Sequence, residues 1–140
     1  MEKLIIESSE TGPFILFDKQ NNTFKIEGKS VLEDSQLFFE PALNWLDQYC
    51  QWPNTITHFE FNMEYFNISS SKSILSILYK LNDLNKSGHQ VKVTWYYSED
   101  EMYESGEDFA FLLKIPFELK EDSRKQNKIP VLSYVDNKSK

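Results

Sequence analysis

An α/β fold built on a single mixed sheet is what this sequence predicts. Two patterns carry the prediction. An opening run of strand-like segments contains a β-hairpin, and helix-like segments then alternate with further strands in the order β-β-β-α-β-α-β-α. A third observation makes a packed core available. Of 140 residues, 40% are hydrophobic and 15% aromatic, which excludes wholesale disorder and suits one domain.

The elements follow in order. Leu4-Ile5-Ile6 is a short apolar run, and Pro13 to Phe17 is a second. The polar stretch Asp18 to Asn22 has hairpin length, and Thr23 to Glu27 alternates with Phe24 and Ile26 on one face before Gly28. A hairpin over 13–28 is expected. Helical spacing begins near Asp34: Phe38, Ala42, Trp45 and Tyr49 form one stripe, interrupted by Pro41. Proline suits a first turn and kinks a helix interior, so the spacing allows a helix starting at Pro41 or one running through it. Thr55 to Met63 alternates with Thr57, Phe59, Phe61 and Met63 on the core face. Ile74, Ile77, Leu78, Leu81 and Leu84 then stripe a second helix, which Ser87-Gly88 stops. Gln90 to Tyr97 is a strand with Val91, Val93, Trp95 and Tyr97 on one side. Acidic residues from Glu99 to Asp108 lead into Phe109, Leu112 and Leu113, a third helix, and Ile115 to Leu119 leaves it extended. Right-handed crossovers are expected between parallel strands. Residues 1–119 are therefore assigned to one domain. Residues 120–140 are assigned to a polar basic tail, with six Lys+Arg against three Asp+Glu and one apolar patch, 129–135, of edge-strand type.

Charge and composition remove several functions. Fifteen basic against 22 acidic residues give net −7, which disfavours both phosphate-neutralising nucleic-acid binding and an anionic membrane surface. No apolar run reaches membrane-spanning length, and the N-terminus lacks the pattern of a secretory signal. A lone Cys50 leaves no internal disulfide and points to a reducing, cytoplasmic setting. Two histidines, His58 and His89, form no triad by spacing, and four scattered glycines make no phosphate loop. The run Glu99-Asp100-Glu101 lacks the alternating ligands of a calcium loop; no metal and no cofactor are expected. Those acids suit a helix N-terminus, or an acidic face carrying Glu101 and Glu104 that steers a basic partner.

The informative segment is Tyr65-Phe66-Asn67-Ile68-Ser69-Ser70-Ser71-Lys72. Three serines lie between a buried strand and a helical stripe. Serine caps helices well, and a hydroxyl at a helix N-terminus is also a good place for a phosphate.

That segment resembles the YFNTSSSK motif of the SiaC family of bacterial regulatory phosphoproteins. The similarity continues through Phe17-Asp18, Ile26 to Ser30, Phe39 to Leu46, Val93 to Tyr97, Glu104 to Phe109 and Ile115-Pro116-Phe117, in order across about residues 3–119. The resemblance implies a non-catalytic adaptor, STAS-like in outline. A serine/threonine protein kinase would phosphorylate it and a PPM-type phosphatase would reverse this. The unphosphorylated form would bind and activate a GGDEF diguanylate cyclase, raising cyclic di-GMP and favouring biofilm. The partner-binding residues it implies are Tyr65, Phe66, Asn67, Ile68 and Lys72, with Glu101 and Glu104 from the acidic face. The family's acceptor threonine falls at Ile68, which has no hydroxyl. Ser69 is the nearest substitute, ahead of Ser70 and Ser71. The alternative is a constitutive protein-binding module of the same fold whose switch is lost at Ile68. An enzyme using an acidic-aromatic pocket has no motif behind it.

Overall fold

The computed structural model describes residues 1–122. Six strands form one mixed sheet in the order β1 to β6, the order of the chain itself. β1 (Leu4–Ile6) and β2 (Phe14–Asp18) are antiparallel, as are β2 and β3 (Thr23–Ser30); these are the expected strand and hairpin. β3, β4 (Ile56–Phe66), β5 (Gln90–Tyr97) and β6 (Phe117–Glu121) then run parallel. Parallel neighbours need crossovers, and these are α1 (Ser35–Tyr49), α2 (Ile68–Lys86) and α3 (Asp100–Leu112). The α/β class, the single mixed sheet and the three helices are as predicted.

One side of the sheet is buried beneath the helices. Ile15 and Phe17, Phe24 and Ile26, Phe59 and Phe61, and Val93 and Trp95 are at most 1% exposed and meet Phe39, Leu46, Ile74, Ile77 and Leu81. The anticipated faces of β4, α2 and β5 are thus the ones that pack. A chain of rings, from Phe17 on β2 through Phe59 and Phe61 on β4 to Trp95 on β5, runs across the sheet at 5.0–5.4 Å between centroids. Aromatic neighbours at this spacing add to area burial.

Several boundaries differ from those the spacing suggested. α1 starts at Ser35, capped by the Asp34 carboxylate, and runs straight through Pro41. The N–H missing at Pro41 would have bonded Leu37 O. Leu37 is exposed, so water can satisfy that carbonyl. β4 extends to Phe66 rather than ending at Met63, and its register against β3 shifts between Gly28 and Lys29. Met63 pairs with Gly28 and Tyr65 with Lys29, so Glu64 is the extra residue and the strand's facing changes phase after it. Phe66 consequently turns inward, onto Trp95 and Phe109. α2 ends as expected: Gly88 has φ 104°, a left-handed conformation natural to glycine. On α3 the buried residues are Met102, Gly106 and Phe109; Leu112 is half exposed and Leu113, just past the helix, packs in its stead. β6 continues two residues beyond the point where composition places the start of the tail. The apolar patch 129–135 lies outside the described residues.

Candidate functional site

β4 and β5 are adjacent parallel strands, so α2 and α3 both begin at the same, C-terminal, edge of the sheet. This edge is where open α/β sheets characteristically place their binding residues. It gathers the two segments singled out in the sequence, residues 65–72 and the acids from Glu99. Phe66 is the physical link between them, with its ring 6.0 Å from that of Phe109 on α3 and 6.1 Å from Trp95.

Asn67, not a serine, caps α2. Its side-chain oxygen accepts from Ser70 N–H at 2.9 Å, and its amide donates to Leu32 O at 3.0 Å. Its backbone N–H donates to Ser30 O, tying the helix start to the end of β3. Ile68 is then the first helical residue, with its side chain 79% exposed. The three serines occupy the next positions and are released from capping duty.

Their environments differ sharply. Ser70 is fully buried and accepts from Ser30 Oγ at 2.7 Å. Ser71 Oγ donates back to Ile68 O within the helix. Ser69 is half-buried and faces the start of α1. Its hydroxyl donates to Ser35 Oγ at 3.0 Å and receives a long bond of 3.4 Å from Ser35 N–H. Ser35 Oγ in turn donates to Ser69 O at 2.6 Å. With its only proton so engaged, Ser35 accepts from Ser73, 2.8 Å away. Asp34, Ser35, Ser69, Lys72, Ser73 and Ser76 line a shallow depression of about 410 Å³ here. Lys72 is exposed at its rim.

The hydroxyl partners Ser30, Ser35 and Ser73 were not singled out as site residues. Ser73 stands one helical turn beyond Ser69 and was discoverable by that spacing. Ser30 and Ser35 join the site only through contacts 34–40 residues apart in sequence.

The other half of the edge is acidic. Asp100 and Glu101 sit in the first turn of α3, where the helix dipole favours carboxylates. Glu101 and Glu104 are exposed. Glu107 beside Tyr103 pushes that phenol upward from its usual range. Among the described residues the ion pairs are Lys80–Asp47 and Lys92–Glu118, so none joins Lys72 to Glu101 or Glu104. The histidines make ordinary hydrogen bonds, His58 to Thr94 Oγ1 at 2.7 Å and His89 to Ser87 Oγ at 3.2 Å.

A model of the SiaC family of regulatory phosphoproteins matches residues 6–122. The chain belongs to the SiaC family. As a member it is a regulatory protein rather than an enzyme. An uncharacterized protein of Pseudomonas aeruginosa strain UCBPP-PA14 is 25% identical over 119 residues, which span 84% of this chain and 94% of that one. Among solved structures, SiaC of Pseudomonas aeruginosa superposes with a TM-score of 0.81 at 24% identity, covering 87% of this chain and all of that one. Its apo crystal structure gives 0.81 at 25% identity, with coverage of 86% and 99%. A third structure, at TM-score 0.80 and 24% identity over 85% and 99%, is that of the diguanylate cyclase SiaD in complex with its activator SiaC. The SiaC-family fold is thus shared across the described chain. None of the helices among its described residues is long and apolar enough to cross a membrane.

Proposed function

We propose that this SiaC-family protein is a cytoplasmic partner-switching adaptor. In this reading its unmodified form binds and activates a GGDEF diguanylate cyclase, and phosphorylation of Ser69 turns that binding off. A serine/threonine kinase adds the phosphate and a PPM-type phosphatase removes it. The outcome is control of cyclic di-GMP, and through it of biofilm formation. The activator role of the Pseudomonas SiaC toward its cyclase supports the partner class.

The observation that carries the reading is the pairing of Ile68 and Ser69. Ile68 offers a large exposed apolar side chain at the first position of α2. Next to it stands a half-buried hydroxyl at a helix N-terminus, beside Lys72. An apolar partner contact at Ile68 would be spoiled by a dianion one residue away, because desolvating that charge is costly. Ser70 is fully buried, which supports Ser69 as the acceptor ahead of it. Tyr65 and Lys72, both exposed, complete the contact surface, Phe66 and Asn67 support it from beneath through their packing and capping, and Glu101 and Glu104 steer the partner.

The second reading, a constitutive module, draws on the same geometry. The family acceptor position is exposed here but holds isoleucine, and the Ser69 hydroxyl is already engaged by Ser35. Phosphate incorporation by the cognate kinase separates the two. Uptake by the wild type that Ser69→Ala abolishes supports the switch. Uptake only after Ile68→Thr assigns the constitutive module.

A further inference from the structure

The three helices pack on one side of the sheet, with Tyr49 of α1 on Phe24 and Phe109 of α3 on Trp95. On the other side one cross-strand row carries chemistry. Phe14 pairs with Glu27 across β2 and β3, and Glu27 pairs with Asn62 across β3 and β4. Their neighbours along the strands, Ile15, Ile26, Phe61 and Met63, are buried in the core. Side chains alternate along a strand, so Phe14, Glu27 and Asn62 project together from the side without helices. An aromatic ring, a carboxylate and a carboxamide thus stand abreast, about 4.8 Å apart from strand to strand.

The row borders an open cavity of about 690 Å³. Gly28 and Glu64, at the register shift between β3 and β4, also line it. Such shifts re-aim side chains and recur beside binding sites. A Cβ at Gly28 would meet nothing nearer than Pro13 Cα at 4.0 Å, so the wall is open there.

Asn62 is only 8% exposed. Its Nδ2 donates to Asp122 Oδ2 at 2.9 Å. That bond fixes the amide, because the reverse orientation would set two acceptors against each other. Asn62 Oδ1 is left buried without a donor, and no other buried side-chain atom among the described residues is in that position. A buried acceptor with no donor is costly and calls for an explanation. Glu27 beside it cannot help, since a carboxylate only accepts. Glu27 and Glu64 both line the cavity, and among the described residues neither is in an ion pair.

The group that fits is a cation with several donors and a flat face. A guanidinium has five donors in a planar fork, pairs bidentately with carboxylates and stacks on rings. It can donate to Asn62 Oδ1 and Glu27 together while lying on Phe14. An ammonium is a compact point charge and matches neither the ring nor the spread of acceptors. The cavity is of a size that encloses a drug-sized molecule, so one arginine side chain fills only part of it and flanking residues have room. That favours arginine carried on a polypeptide over a free small cation.

We propose that Phe14, Glu27 and Asn62 form a pocket for an arginine side chain presented by a partner protein. This goes beyond the switch reading and does not depend on it, because the row lies on the side of the sheet opposite α2. An NMR titration of the full chain with the tripeptide acetyl-Gly-Arg-Gly-amide tests it. The Asn62 side-chain amide and the Gly28 backbone amide should shift saturably, with a dissociation constant on the order of 1 mM. The lysine and citrulline tripeptides, and agmatine as the free guanidinium, should each bind at least about tenfold more weakly. Glu27→Gln should weaken the arginine peptide by about tenfold. Glu64→Gln, at an exposed position, should weaken it in the same direction and serves if Glu27→Gln folds poorly. Absence of saturable shifts at millimolar peptide would overturn the proposal. So would equal binding of the lysine or citrulline peptide, or an affinity that both carboxylate variants leave unchanged. Agmatine binding as tightly as the peptide would overturn the partner protein as its source.

Discussion

Ser35 and Ser69 hold each other across the starts of two helices. Ser35 Oγ donates to Ser69 O at 2.6 Å, and Ser69 Oγ donates to Ser35 Oγ at 3.0 Å. The proposed phosphoacceptor is therefore one member of a hydroxyl chain running through Ser73. A phosphate on Ser69 would lose its donor role toward Ser35 and enter a depression lined by Asp34 as well as Lys72. The helix dipole favours the added charge and Asp34 opposes it.

Ser35→Ala removes the centre of this chain. It leaves the buried Ser73 hydroxyl without its partner and takes from Ser69 O its bond to the Ser35 side chain. The expected loss is about 1–2 kcal/mol, the cost of buried groups left unsatisfied. Urea unfolding of the variant should show a lower midpoint with an unchanged slope. A midpoint equal to wild type would mean the hydroxyl chain contributes nothing to the fold.

Gly106→Ala tests the seating of α3. An added Cβ would stand 2.5 Å from Trp95 Cδ1 and 2.5 Å from Leu119 Cδ2. Trp95 cannot easily retreat, since its Nε1 donates to Met102 O at 2.9 Å in the same helix. Alanine is the better helix former by about 1 kcal/mol. Overpacking costs about 1–3 kcal/mol and wins here. Differential scanning calorimetry should record a fall in Tm; a rise would show that α3 shifts freely.

The hairpin turn has a pH signature. Hydrogen bonds from Asn21 hold the Asp18 carboxyl below its ordinary range, against an opposing effect of burial. A folded value below the unfolded one means that the ionised form stabilises the fold. That contribution is complete above the ordinary carboxylate range, near pH 4, and is lost as pH falls through the lowered value. Asn21→Ala should move the NMR titration midpoint of Asp18 upward. An unmoved midpoint would remove Asn21 as the cause.

Cys50 should be a slow thiol. Burial, with the Asp47 charge beside it, pushes its pKa up, and Lys80 only partly offsets this. The thiolate is the reactive form, so alkylation by iodoacetamide at pH 8 should lag behind that of a free cysteine peptide. Equal rates would place the sulfur in a more exposed setting than the end of α1 gives it.

Local periodicity is why most of the fold was legible. Phe59 and Phe61 alternate, and Ile74, Ile77, Leu78 and Leu81 recur at helical spacing; both patterns survive into the core because side-chain direction follows the backbone repeat. The acceptor region was legible as a segment, but not residue by residue. Asn67 and three serines are all competent caps, and nothing local chooses among them. The choice fell to Asn67, whose amide also reaches Leu32 O and whose backbone N–H reaches Ser30 O.

By itself the sequence determined the class of fold, the order of its elements, the packed faces of β4, α2 and β5, and the family to which the chain belongs. Tertiary structure alone decided what each residue at the site experiences. The shift between Gly28 and Lys29 against β4 changed the strand's phase and turned Phe66 inward. The parallel pairing of β3 with β4 brought Ser30 to Ser70, and the passage of α1 beside α2 brought Ser35 to Ser69. These contacts join residues 34–40 positions apart, so no local repeat encodes them; they exist only once register and helix packing have been set together.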